Sequence, residues 1–173
     1  IRTTGGNYTQ RAESSANVLV ITVAAAGSSS NAIGGNLGAI VMKNRSNALI
    51  GKQVSITADG NVTVKALQNS ELYLIAASAA VSGSRTAAGG TLNVTVNGTE
   101  ANVTVNDGTT IRSEKGSVVL NADTKEKLIS VLASASAALG GTGAAGVLSV
   151  LVSGSKTVAD IGKVTIYAKK DVQ

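Results

Sequence analysis

The chain contains no cysteine, proline, histidine, tryptophan or phenylalanine among its 173 residues. Without cysteine there is no disulfide, no thiolate nucleophile and no thiolate metal ligand. The missing proline fits a chain of regular strands, because proline cannot donate to a β ladder. Aromatic residues make up only 2% of the chain, so the large side chains that fill much of an ordinary core are absent. Ala, Val, Leu and Ile must supply the interior, which should be thin and built from small groups. Charge is sparse too, at 14% of residues against 43% hydrophobic. That balance is the reverse of the disordered signature.

The net charge of +5 raises the question of an anionic partner. Nucleic-acid binders cluster their cations on one face and add stacking aromatics. Here the basic residues are scattered, Lys169 and Lys170 being the closest pair, and the three Tyr lie far apart. No specific nucleic-acid partner is expected. The longest apolar runs, Val18 to Ala26 and Ala144 to Val152, fall well short of the ~20 residues a membrane-spanning helix needs. The aromatic girdles of an outer-membrane barrel are missing as well. Ile1-Arg2 opens into strand-like sequence rather than into a leader.

What the chain does have is internal repetition. Gly35-Asn36-Leu37-Gly38-Ala39-Ile40-Val41 returns as Gly90-Thr91-Leu92-Asn93-Val94-Thr95-Val96 and again as Gly146-Val147-Leu148-Ser149-Val150-Leu151-Val152. Val54-Ser55-Ile56-Thr57-Ala58 recurs two periods on, as Val164-Thr165-Ile166-Tyr167-Ala168. Ile1-Arg2 matches Ile111-Arg112, and Val172 matches Val62. The spacing gives a period of about 55 residues. It divides the chain into the tail of one repeat (1–13), two repeats (14–68 and 69–124) and an incomplete fourth (125–173). Neither end carries the polar capping unit that repeat arrays need, so the chain reads as a stretch of a longer array.

Within each repeat, Val54–Ala58 and Val62–Ala66 alternate apolar and polar residues around Asp59-Gly60, the pattern of strands joined by a tight turn. Asn97-Gly98 and Asp107-Gly108 read as further turns. The runs Val18 to Ala26, Leu72 to Val81 and Leu128 to Leu139 read as strands buried on both faces, as parallel sheets are. The Leu and Ala content of Glu126 to Leu139 favours a helix locally. Its aligned counterpart Val18–Val23 is β-branched, so strand is expected throughout. Repeats that stack in one direction, each covering its neighbour, favour a parallel β-solenoid over an antiparallel sandwich. A 55-residue period is long for one coil, and two or three coils per repeat are expected.

The segments "LNVTVNGTEANVTV" (92–105) and "IGKQVSITADGNVTVKA" (50–66), with their Ala/Ser-rich apolar runs and Gly-Gly turns, resemble the very large repetitive adhesins of anaerobic bacteria. These are the leukotoxin-like and filamentous-haemagglutinin-like proteins. The resemblance covers essentially the whole chain and rests on repeat texture. It implies an all-β, right-handed parallel β-helix, exported by two-partner secretion or as an autotransporter passenger. The protein would be secreted or held at the bacterial cell surface, with host or bacterial surface molecules as partners.

No residue is singled out as catalytic, cofactor-binding or metal-binding. Gly141-Thr142-Gly143-Ala144-Ala145-Gly146 satisfies G-x-G-x-x-G, with Asp160 following. A dinucleotide site needs a helix after the glycines, whereas strand sequence follows here, so a structural turn is expected. Ser153-Gly154-Ser155-Lys156 matches S-x-x-K without the other motifs of such serine enzymes and reads as a polar turn. Glu114, Asp123 and Glu126 are the nearest approach to paired carboxylates and read as solvated turn residues. A carbohydrate-active or polysaccharide-binding solenoid is the alternative to a structural adhesin shaft. Converging acids in one groove would distinguish it. Unpaired strand edges at the coil ends predict end-to-end self-association.

Overall fold

In a computed structural model describing residues 1–173, the chain forms ten strands and no helix. Four short strands, β1 (Arg2–Thr3), β4 (Ser55–Ala58), β7 (Thr110–Ser113) and β10 (Thr165–Ala168), make a corner sheet. The first long sheet holds β2 (Tyr8–Ser28), β5 (Val62–Ser82) and β8 (Val118–Ala138). The second holds β3 (Asn31–Ile50), β6 (Thr86–Val105) and β9 (Thr142–Ile161). Every pairing is parallel. This is a parallel β-helix, and the stretch from Glu126 is strand β8, not helix.

The register corrects the coil count. Tyr8 pairs with Val62 and Val62 with Val118, while Gly35 pairs with Gly90 and Gly90 with Gly146. One repeat is therefore one coil, not two or three. The coil is long because two of its strands run for 20–21 residues, against the usual five or six.

Each coil has a wide end and a narrow one. At the wide end the corner sheet bridges the two long sheets over an apolar core. Ile56 pairs with Ile111 and Ile111 with Ile166, and Ile56 and Ile111 are fully buried. Val62, Val64, Val103 and Val105 close around them. The turn into the corner sheet requires left-handed backbone: Gly108 has φ +74° and Gln53, one coil below, +56°. At the narrow end the long sheets nearly touch. A Cβ built on Gly34 would stand 2.5 Å from the Ala79 carbonyl oxygen, and one on Gly89 2.7 Å from that of Ala135. Beyond the core, the two long sheets thus form a thin blade.

The blade is polar inside. Thr91, Asn93, Thr95, Asn97 and Thr99 all point inward and are buried. Thr91 Oγ1 donates to Ser78 Oγ at 3.1 Å, Ser78 Oγ to Ser134 Oγ at 3.0 Å, and Asn93 Nδ2 to Thr95 Oγ1 at 3.1 Å. In Leu92-Asn-Val-Thr-Val96 it is therefore the polar residues that face inward and the apolar ones that face outward. Alternation fixes only which residues share a face, and an odd spacing flips the face. Val103 and Val105 are held in the wide-end core, so the strand's parity turns Leu92, Val94 and Val96 outward. Nor are the long apolar runs buried on both sides. In the central coil, where neighbours cover both strand edges, Ile75 is 42% exposed and Val81 52%.

Candidate functional site

Identical register in every coil turns each outward position into a row running along the solenoid axis. On the second long sheet, the outward residues of β3 nearest the narrow end are Ile33, Gly35, Leu37, Ala39 and Val41. Above Leu37 lie Leu92 and Leu148, and above Val41 lie Val96 and Val152. Gly35, Gly90 and Gly146 floor a groove parallel to the axis, walled on one side by the leucine row. On the first long sheet the outward rows begin with Leu19, Tyr73 and Ile129, followed by Ile21, Ile75 and Val131. Small residues follow toward the narrow edge, as in the row Ala25, Ala79 and Ala135. Both outer faces of the blade are therefore apolar.

Charged residues begin at the same level on both faces. On the second long sheet, Arg45, Glu100 and Lys156 form one row beside Lys43. Gly98 and Gly154 open a polar groove next to it. Glu100 bridges its neighbours, 2.5 Å from the Arg45 guanidinium and 3.7 Å from Lys156 Nζ. Asn102 Nδ2 donates to Glu100 Oε1 at 2.6 Å. That hydrogen bond, above all, holds the Glu100 carboxyl below the usual carboxylate range; partial desolvation opposes it, and Arg45 and Lys156 reinforce it. On the first long sheet, Glu71 and Lys127 lie in the first charged row, with Lys127 Nζ 5.2 Å from the Tyr73 ring centre.

The residues weighed in the sequence lie apart. Glu114 follows β7 and pairs with Arg112 at 2.5 Å. Asp123 and Glu126 sit on β8 but face opposite sides: Asp123 points outward, while Glu126 accepts hydrogen bonds from Asn97 and Ser153 inside the blade. No three carboxylates gather closely enough to hold a metal ion. Gly143 to Gly146 lie within β9, not in a turn, and strand continues to Ile161. Gly35, Gly90 and Gly146 are likewise mid-strand, so their reading as turn glycines is corrected. Asn97-Gly98 and Ser153 to Lys156 also lie within strands β6 and β9. Asp59-Gly60 and Asp107-Gly108 are turns, as expected.

The apolar rows were not foreseen, although a signal existed. In Leu92-Asn-Val-Thr-Val96 the polar partners are Asn and Thr, which can hydrogen-bond one another inside a thin interior, and no charge interrupts them. Comparison with family models, with curated proteins and with solved structures gives no match.

Proposed function

We propose that the chain is a structural shaft segment of a secreted or surface-held bacterial adhesin. The observation that carries this reading is the unbroken parallel register of three coils. Backbone hydrogen bonds run along the axis at every step, so load applied along the rod is shared across the coil by two long ladders. Stacked coils rise about 4.8 Å each, which suits a rigid spacer that carries binding elements outward. Antibodies raised against the chain should label intact, unpermeabilised cells of the producing bacterium. Labelling that requires permeabilised cells would contradict the reading.

A polysaccharide-binding role draws on one feature, the polar groove floored by Gly98 and Gly154. It holds a single carboxylate, Glu100, already engaged by Arg45. That suits retention of an extended chain better than its cleavage, since glycoside hydrolysis uses a pair of free carboxyls. Retardation of the chain in gels containing acidic polysaccharide, lost in Lys43→Ala/Lys156→Ala, would favour this second reading.

A further inference from the structure

The two apolar faces of the blade demand a cover, and the geometry points to a second copy of this chain. Copies would lie side by side, the first long sheet of one packed on the second long sheet of the next, with narrow edges pointing the same way. This inference stands on the two faces alone and is separate from both the adhesin reading and end-to-end stacking.

Area is the first argument. Five outward positions from Ile33 to Val41 span about 26 Å at ~3.3 Å per residue. Three strands at ~4.8 Å spacing make the apolar face about 14 Å deep, or about 370 Å². A specific interface buries about 800 Å² per partner. Each contact between copies buries about 370 Å² on either partner, which is below this, so a single pair associates weakly. A copy inside a row is held by two such contacts, about 740 Å² of its own surface, whereas a copy in an isolated pair is held by one. Apolar patches of this size on a monomer are commonly functional.

Charge decides which faces meet. Thr157 Oγ1 donates to Thr124 Oγ1 across the interior at 2.8 Å, which sets the levels of the two sheets. By register, Ser46 lies below Thr157 and Ser14 below Thr124. On that pairing alone Arg45 is level with Ser15, and Lys156 with Lys125. The inward hydrogen bond from Asn36 Nδ2 to Thr22 Oγ1, 2.8 Å, matches the same two sheets one row further on. Arg45 therefore lies between Ser15 and Glu13, and Lys156 between Lys125 and Asp123. Sideways packing thus sets Arg45 of one copy near Glu13 of the next. It sets Glu100 against the uncharged Leu67 and Asn69, and gives Lys156 one charge of each sign.

Packing like faces on one another is worse. A twofold along the strands, the one that keeps apolar rows level, exchanges the first and third coils. On the second long sheet it opposes Arg45 to Lys156 and Glu100 to itself. On the first it opposes Glu13 to Asp123 and Glu71 to itself. Like charges directly opposed disfavour those pairings. A head-to-tail interface of the surviving kind does not close, and so generates open rows.

The test combines sedimentation with capture. Purified chain should associate increasingly with concentration, into species beyond dimers. Ile75→Lys and Leu92→Lys each place a charge in the middle of one apolar face and should shift that association to at least about tenfold higher concentration. The chain lacks cysteine, so Ser15→Cys and Asn47→Cys can be made singly on the two outward faces. Mixed in equal amounts with a short bis-maleimide, they should give mainly the mixed dimer, and Ile75→Lys in both should abolish it. Homodimers forming as readily as the mixed dimer would overturn the proposal. So would association unchanged by Ile75→Lys and Leu92→Lys, which would indicate end-to-end stacking. A chain that stays monomeric but floats with phosphatidylcholine vesicles would overturn it in favour of lipid as the cover. Ser15→Cys and Asn47→Cys alter only exposed positions, so the capture arm remains decisive if a lysine variant loses its sheet circular dichroism.

Discussion

Asn7 reaches across to the next coil: its Oδ1 accepts a hydrogen bond from the Asn61 backbone N–H at 2.7 Å. Asn61 does the same one coil on, accepting from the Ser117 N–H at 2.9 Å, and Ser117 Oγ accepts from the Asp171 N–H at 3.3 Å. The column sits at the turn into the first long sheet, where backbone donors would otherwise lack a ladder partner. Each coil thereby fixes the corner of the one above it.

Removing one rung should be measurable. Asn61→Ala deletes the acceptor for Ser117 and should cost about 1 kcal/mol, the usual net value of a hydrogen bond. Asn61→Asp keeps an acceptor and should cost less. Urea denaturation midpoints of the two variants check this, and equal midpoints would place the stabilisation elsewhere.

Neighbouring glycines should behave oppositely. Gly89 faces inward, where a Cβ meets the Ala135 carbonyl oxygen at 2.7 Å, whereas Gly90 faces outward with only Gly146 backbone at 3.9 Å. Gly89→Ala must push the two sheets apart and should destabilise by about 1–3 kcal/mol. Gly90→Ala meets no obstacle and restricts the unfolded chain, so it should be neutral or stabilising by up to about 1 kcal/mol. Thermal unfolding of the two single variants makes the comparison, and a destabilised Gly90→Ala would contradict the assignment of faces.

These pairs also show what was legible in the sequence. The recurrence of Gly35, Gly90 and Gly146 gave the register correctly, because stacked coils make equivalent residues neighbours. It could not give the coil count, since a 55-residue spacing suits one coil with two 20-residue strands as well as several shorter coils. The facing of these strand residues is not legible for a related reason. Alternation groups Leu92 with Val94 and Val96 but does not say which side is inside; that is decided by Val103 and Val105, seven and nine residues further along, which the corner core captures. The Asn7 column and the contact of Gly34 and Gly89 with the opposite sheet depend on distances between coils and between sheets, which no local pattern records.

Glu100 supplies a pH dependence. Its folded-state carboxyl lies below its ordinary value, chiefly through the Asn102 hydrogen bond. A group depressed in this way binds fewer protons when folded. Its stabilisation is therefore present above the unfolded value and is lost as pH falls through the folded one. Glu100→Gln should therefore lose less stability than the native chain on acidification below about pH 4.5. Melting temperatures of both proteins across that range check the difference, and parallel curves would contradict it.

The central claim is that one repeat closes one coil, and the leucine row tests it most directly. Adjacent parallel strands lie about 4.8 Å apart, inside the range of Cα separations that a disulfide bridges, whereas a two-coil gap of about 10 Å lies outside it. In dilute, mildly oxidised protein, Leu37→Cys/Leu92→Cys and Leu92→Cys/Leu148→Cys should each form an intramolecular disulfide, and Leu37→Cys/Leu148→Cys should not. Failure of both adjacent pairs to close, with the remote pair closing or all three staying reduced, would contradict the one-coil repeat.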